Sequence, residues 1–455
     1  MKKSSFLLLL FASVFISCGS SHNVVSDNPF DPSTGNSDSI VRNKIVVISD
    51  LHLGNDLSYS EDVKHLSRLK QFLNEVRSSA TIKEFVIAGD MFDEWYIPTR
   101  TNTYDNKSQA DFVKKTVVAN QSIFNVINGI IGDKKIKVTY IPGNHDMGFT
   151  PENVDIAMPG VNQARDSKDK YGIGTYNPDG YPQIAIEHGH RYDFFCSLTP
   201  NANDAEAPGA VLAPGYFFAR IAANSFTDPT THDAATKVPV TVLNNQNDPE
   251  QYSKYIYYGL WKKVLEDVIY VKDDFDAKII TTNVGHYTKT YSINDVLPHN
   301  STTDGSIQMN LYNGLFTQNN WDNREQYNNA PIMTNINDAI KGSLATSFID
   351  DQSDNQYFKN SQSGVRLVIF GHTHIPMIKT YKNLKGSTCV YANSGTWEDY
   401  KSRDKSKVIE QDSMNMTFVV VSPMKTNKKK LQVGLYQYRF GKHFLTDSKS
   451  LDISE

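Results

Sequence analysis

Five short apolar runs in this chain each end in residues of metal-ligand type, and that pattern limits what the chain can fold into. Ile45-Val46-Val47-Ile48 leads into Asp50-Leu51-His52, and Phe85-Val86-Ile87-Ala88 into Gly89-Asp90. Val138-Thr139-Tyr140-Ile141 leads into Gly143-Asn144-His145-Asp146, and Ile184-Ala185-Ile186 into His188-Gly189-His190. Leu367-Val368-Ile369-Phe370 leads into Gly371-His372-Thr373-His374. Short β-branched runs read as buried strands of a mostly parallel sheet. Sites in open α/β sheets form outside the carboxyl ends of the strands, so five strand ends deliver Asp, His and Asn to one place.

The stretches between the runs fit that reading. Val63, Leu66, Leu69, Phe72, Leu73 and Val76 recur at helical spacing, as do Val117, Phe124, Ile127, Ile130 and Ile131. Strands alternating with helices indicate an α/β fold. Strand-like runs return at Leu367 to Phe370, Cys389 to Ala392, Phe418 to Val421 and Leu431 to Tyr438, and they are expected to complete a second sheet packed on the first. The expected architecture is a two-layered mixed β-sheet sandwich flanked by helices, with its core in 41–193 and 361–455. Residues 194–360 are rich in Asn, Asp, Tyr and Thr and read as an inserted, mostly helical cap, with helices near Gly215 to Ala223 and Tyr255 to Val268. Its aromatic residues Tyr216, Phe217, Phe218, Tyr255, Tyr257, Tyr258 and Trp261 form either the cap's own core or a ligand surface.

The chain of 455 residues, 39% hydrophobic and 21% charged, suits a globular body. A net charge of −4 and the lack of a basic stripe exclude a nucleic-acid binder. The basic run Lys425 to Lys430 sits between two strand-like runs and reads as a hairpin turn. At the N-terminus, Lys2 and Lys3 precede an apolar stretch, Phe6 to Ile16, too short to span a bilayer. Phe15-Ile16-Ser17-Cys18 looks like a bacterial lipoprotein cleavage site, with Cys18 as the lipidated residue; an ordinary secretory signal is the alternative. Residues 19–40 read as a disordered tether. The expectation is an exported, membrane-anchored lipoprotein, periplasm-facing in a Gram-negative bacterium. Cys196 and Cys389 remain as a pair that an oxidising compartment could join.

Imidazole, carboxylate and one amide oxygen suit divalent ions such as Mn, Fe or Zn. Six or seven such groups exceed what one ion with an open position needs, and fit two ions about 3.5–4 Å apart. Asp50-Leu51-His52, Gly89-Asp90-Met91-Phe92-Asp93, Gly143-Asn144-His145-Asp146, His188-Gly189-His190 and Gly371-His372-Thr373-His374 resemble the calcineurin-like metallophosphoesterase superfamily, in that family's order. The resemblance implies that Asp50, His52 and His374 hold one metal, Asn144, His188 and His372 the other, and Asp90 both. It implies two divalent metals, Mn first, with Fe, Zn or Mg as alternatives. His145 would stand beside the leaving oxygen, oriented by Asp146, and Asp93 would support the site from outside the ligand set. The nucleophile would be a hydroxide bridging the metals. His190 and Arg191 are candidate substrate contacts, with a neighbouring loop and an ordinary salt bridge as their structural alternatives. Asn393-Ser394-Gly395-Thr396-Trp397 either lines the pocket or forms a tight turn.

These residues imply a phosphomonoesterase, phosphodiesterase or pyrophosphatase acting on a small-molecule or lipid phosphate ester. Gly89 to Trp95 looks like the branch containing UDP-2,3-diacylglucosamine pyrophosphatases, but that substrate is cytoplasmic and the large insertion is extra, so chemistry carries over and substrate does not. The alternative is a catalytically silent, metal-bound lipoprotein whose cap recruits a glycan or protein. A serine hydrolase is disfavoured, since no Gly-x-Ser-x-Gly elbow occurs.

Overall fold

Every residue of strand Lys44–Ile48 from Ile45 on is buried, on both faces of a sheet, which explains why its sequence does not alternate. The computed structural model describes residues 24–25, 28–31, 40–166, 171–231, 237–399 and 415–454, apart from single positions and one pair within these stretches. Cys18 and the signal-like segment lie outside the described residues. The strands of the two main sheets are β1 Val24–Val25, β2 Lys44–Ile48, β3 Ile82–Ala88, β4 Lys137–Ile141, β5 Asn162–Gln163, β6 Ile184–Ile186, β7 Leu367–Phe370, β8 Met377–Lys382, β9 Thr388–Asn393, β10 Thr417–Met424, β11 Asn427–Arg439 and β12 Lys442–Asp452. The first sheet has the order β1-β12-β11-β10-β2-β3-β4-β5, and the second β8-β9-β7-β6.

Strands β2, β3 and β4 run parallel, with Val47 opposite Val86 and Val86 opposite Thr139. Ile45, Val47, Val86 and Ala88 face the second sheet, where they meet Ile184, Ile186, Leu367 and Ile369. Val46, Ile48, Phe85 and Ile87 face the other way, onto helices α1 Leu66–Ser78, α2 Gln109–Ala119 and α3 Gln121–Asp133. Helix α1 buries Leu69, Phe72, Leu73 and Val76, one stripe of a 3.6-residue period. The spacing that joined Val117 to Ile131 spans two helices, because Asn120 turns the chain and donates from Nδ2 to the Gly54 and Thr116 carbonyls. The outer face of the second sheet, with Val368, Phe370 and Tyr391, is covered by Ile349 and Phe358. The result is the mixed α/β sandwich flanked by helices that the sequence suggests.

Two expectations are corrected. Phe418 to Val421 and Leu431 to Tyr438 do not join the second sheet. They extend the first, through antiparallel pairing of Val419 with Val47. Apolar runs specify a buried strand but not which sheet edge it takes. The segment read as a disordered tether is also partly ordered: β1 pairs with β12, and Phe30 is 2% exposed, packed on Phe72, Phe418 and His443. Burying that ring contributes about 2–3 kcal/mol, and the carbonyls around it accept from Ser79 Oγ, Thr81 Oγ1 and Lys44 Nζ.

The inserted stretch has its own core, in which Phe194, Phe195, Phe218, Tyr257, Trp261, Phe316 and Trp321 interleave. Of the aromatic residues singled out, Tyr216, Phe217, Phe218, Tyr257, Tyr258 and Trp261 are buried there, while Tyr255 is exposed. Helices Gly215–Thr227, Pro249–Asp267, Gln318–Tyr327 and Ile336–Gly342 carry most of its regular structure. Cys196 belongs to this core and Cys389 to the outer face of the second sheet, so both are free thiols. No helix among the described residues is long and apolar enough to cross a membrane.

Two arginines of the inserted stretch are buried without a carboxylate partner among the described residues; Arg220 ties the stretch to the loop after Asp93, and Arg324 holds the start of the stretch itself. Arg220 is fully buried and donates to the carbonyls of Ile97, Pro98, Thr99 and Thr101, and to Tyr216 Oη. Arg324 donates to the carbonyls of Phe194 and Ser197 and to Thr199 Oγ1. Each unpaired buried acceptor costs about 1–3 kcal/mol. Arg220→Ala is therefore expected to lower stability by at least about 3 kcal/mol, read as a fall in the urea midpoint. A change under a tenth of that would mean water satisfies the loop.

Candidate metal centre

The strand ends converge as the sequence implies. Asp50 and His52 follow β2, Asp90 follows β3, Asn144 follows β4, His188 follows β6, and His372 and His374 follow β7. Asp50, His52, Asp90 and His374 form one group of close donor atoms, and Asp90, His188 and His372 a second, so Asp90 belongs to both. Asn144 Oδ1 joins the second group, 3.1 Å from His188 Nε2. Metal–nitrogen and metal–oxygen bonds of about 2.0–2.2 Å place neighbouring donors about 3–3.5 Å apart. His374 Nε2 lies 3.1 Å from Asp50 Oδ1, His52 Nε2 3.3 Å from His374 Nε2, and His188 Nε2 3.1 Å from Asp90 Oδ2. These donor sets fit divalent ions.

Backbone strain concentrates here. Five of the seven ligand candidates have left-handed φ: Asp50 at 54°, His52 at 46°, Asp90 at 49°, His372 at 67° and His374 at 57°. Such conformations cost roughly 1–2 kcal/mol per residue and persist where the surroundings over-determine them. Hydrogen bonds do so here. Leu51 and His52 N–H donate to the Asp90 carbonyl, Trp397 N–H and Thr396 Oγ1 donate to the Asp50 carbonyl, and Ser49 bonds Ser394. Asn393 Nδ2 donates to the Gly371 carbonyl. The Asn393 to Trp397 segment is thus a brace beneath the ligand loops. Glycines matter by close approach: a β-carbon on Gly143 would stand 2.1 Å from Asp90 Oδ1 and 2.3 Å from Asp90 N.

Three of the four ligand imidazoles are hydrogen-bonded through the far nitrogen, leaving the other for a metal, and the fourth, His52, faces carboxylates there. His188 Nδ1 donates to the Ala88 carbonyl at 2.9 Å, His372 Nε2 to Asp193 Oδ2 at 2.9 Å, and His374 Nδ1 to Glu398 Oε1 at 3.1 Å. His52 Nδ1 lies 3.3 Å from Glu61 Oε2 and 3.5 Å from Asp93 Oδ2. Glu61, Asp193 and Glu398 carry no motif, and the sequence gives no signal for them. Burial alone would lower the pKa of His52 and His188, but Asp93, Glu61 and Asp90 raise His52 to about 10, and Asp90 and Asp50 raise His188 to about 9. Burial pushes Asp90 up, yet His188 and His145 hold it well below the usual carboxylate range. A field that draws protons this strongly draws divalent cations to the same nitrogens.

The residue expected to orient His145 is corrected. Asp146 does not touch the ring. It accepts from the N–H groups of Gly143, Met91 and Phe92, and so splices the second and third motif loops together. Asp93 Oδ1 takes the His145 Nδ1 proton at 2.8 Å. His145 also donates its N–H to Asp90 Oδ1, and its ring stacks on Trp95 at 5.0 Å. His145 Nε2 is thereby the nitrogen left for a substrate. The expected substrate contacts are spent elsewhere: Arg191 pairs with Asp166 at 2.7 Å and Glu187 at 2.8 Å, and His190 Nε2 donates to the Gly172 carbonyl. The ligand set opens at His374, whose side chain is 22% exposed while His52, His188, Asp50 and Asp90 are 2% or less.

Gly143→Ala is expected to reduce bound metal from two ions per chain to about one or fewer, since the added carbon displaces the shared carboxylate. Elemental analysis of the purified variant reads this directly. An undiminished load would show that Asp90 does not fix the pair.

Residues 43–376, well over half of the chain, match the family model described as calcineurin-like phosphoesterase. No curated protein matches the chain. Among solved structures, GAP50, the anchor in the inner membrane complex of Plasmodium, is similar with 10% identity and a TM-score of 0.30, over 90% of this chain and 89% of that one. So loose a likeness decides nothing about activity.

Proposed function

We propose a hydrolytic role on one premise: the chain belongs to the calcineurin-like phosphoesterase family. The reading is a phosphoesterase that cleaves a phosphate ester or anhydride at a pair of divalent cations. The observation that carries it is Asp90, one buried carboxylate shared by two groups of donors. Asp50, His52 and His374 would hold one ion, Asn144, His188 and His372 the other, with Mn, Fe, Zn or Mg all compatible with such donors. Bound ions would supply charge for the phosphoryl oxygens and lower the pKa of a water.

The chain's own residues do the rest. His145 presents Nε2 as the group that gives a proton to the leaving oxygen. Asp93 accepts from Nδ1–H and, against the effect of burial, raises the pKa of the ring, so His145 as imidazolium carries a second proton on Nε2 to give; Trp95 fixes the ring plane. Asp146 holds the two loops that carry Asp90 and Asn144 in one register. The inserted stretch packs Trp95 and Met147 into its core, which keeps water from the back of the site.

Lys2, Lys3, the apolar run to Ile16 and Cys18 support export and a lipid anchor in a periplasm-facing lipoprotein. The substrate class is a small-molecule or lipid phosphate ester. The motif likeness to UDP-2,3-diacylglucosamine pyrophosphatases carries over the chemistry and does not choose among these substrates.

Mn²⁺-loaded protein is expected to release phosphate or an aryl alcohol from aryl phosphate mono- or diesters. Asp90→Ala and His188→Ala are expected to lose activity at least about 100-fold, together with metal. His145→Asn is expected to lower turnover about 10²- to 10⁴-fold with the metal load intact. A fully loaded chain without turnover on any phosphate ester would contradict the reading and leave a silent metal-bound protein.

A further inference from the structure

We propose that the β11–β12 hairpin tip, Arg439 to Leu445, docks on an anionic phospholipid bilayer and holds the metal-centre end of the sandwich at the membrane surface. The proposal rests on the reading of Cys18 as a lipid anchor.

Phe440 and Gly441 form the turn, with φ of 53° and 68°. Two left-handed residues suit Asn-Gly or Asp-Gly; a β-carbon with a ring attached is disfavoured there. Phe440 is nevertheless 53% exposed, so it gains little from packing. Leu445, on the strand that follows, is 37% exposed. An aromatic side chain held in a costly conformation and left in water is an outlier that points to function.

Cations frame the apolar tip. The Arg439 guanidinium lies over the rings of Phe440 and Phe444, at 5.0 and 5.7 Å, and Lys442 is exposed between them. Aromatic rings settle at the headgroup level of a bilayer, and nearby Arg and Lys are attracted to anionic headgroups.

The chain's own start fixes the occupant. Val24 pairs with Leu445 and Val25 with Phe444, so the N-terminal strand is laid along this hairpin. Five residues separate Cys18 from Val24, a reach of at most about 20 Å when fully extended. A lipid on Cys18 would therefore bring the bilayer to the hairpin before any other partner. The tip lies at the same end as the ligand loops, because β10 runs antiparallel to β2 and, at its start, the Thr417 carbonyl accepts from the Trp397 indole N–H, while the Trp397 backbone N–H donates to the Asp50 carbonyl. Strand β12 is three strands from β2 in the sheet, about 15 Å. Docking here presents the centre to phosphate esters at the bilayer surface.

The test uses the full chain expressed in a bacterium, labelled with a fatty-acid analogue, and reconstituted into vesicles of phosphatidylethanolamine and phosphatidylglycerol with or without brominated acyl chains. The four native tryptophans are at most 2% exposed and give a steady background. Phe440→Trp is compared with Leu384→Trp, which lies 65% exposed in the β8–β9 turn at the opposite end. Bromolipid is expected to quench the indole at 440 at least about twofold, as burial at the headgroup boundary requires, and to leave the one at 384 nearly unchanged. Label on Cys18 with equal quenching at both positions overturns the docking and spares the anchor. No label, or label that survives Cys18→Ala, overturns the anchor and the docking with it.

Discussion

Asp50, Asp90 and Asp93 stand at one end of the sandwich with no more than 2% exposure, and three buried carboxylates in reach of one another require positive charge. Taking even one ionised carboxylate out of water costs several kcal/mol. Much of the architecture follows from meeting that requirement. Four imidazoles crowd against the carboxylates, three of them hydrogen-bonded from behind and His52 backed by Glu61. Five left-handed residues aim the donors inward. Serine, threonine and asparagine side chains from the segment after β9 tie down the carbonyls that this backbone would leave unpaired. Strain, brace and charge are parts of one solution, which a pair of cations would complete.

The inserted stretch is built onto that solution and not hinged beside it. Arg220 reaches from its helices into the loop that follows Asp93 and satisfies it through neutral acceptors, and Arg324 holds the start of the stretch, a few residues after His188, in the same way. A rigid join of this kind shapes one wall of the site. The opening lies at His374, where Glu398 is also partly exposed.

Much of this was legible in the sequence because the signal was redundant. Each ligand motif follows its own apolar run, and the strand-end rule joins the five in space. Legibility failed where one residue type permits two partners. Asp93 and Asp146 are both near His145 in the loops, and only geometry shows that Asp93 takes the ring while Asp146 takes backbone N–H groups. Glu61, Asp193 and Glu398 come from loops without any pattern. Arg191 could reach a phosphate or a carboxylate, and Glu187 and Asp166 are closer. Phe30 and Asn120 show the same limit in the fold: a buried ring and the bonds to its carbonyl order part of a polar segment, and an amide caps the break between two helices. The sheet edge chosen by β10 to β12 depends on pairing across hundreds of residues, which periodicity does not encode.

The central claim is that two cations complete this charge balance around Asp90. Crystals soaked in Mn²⁺ and measured at the manganese absorption edge test it most directly. The account predicts two anomalous peaks, one among Asp50, His52 and His374 and one among Asn144, His188 and His372, with Asp90 between them. A lone peak away from Asp90, or none at saturating metal, would contradict it.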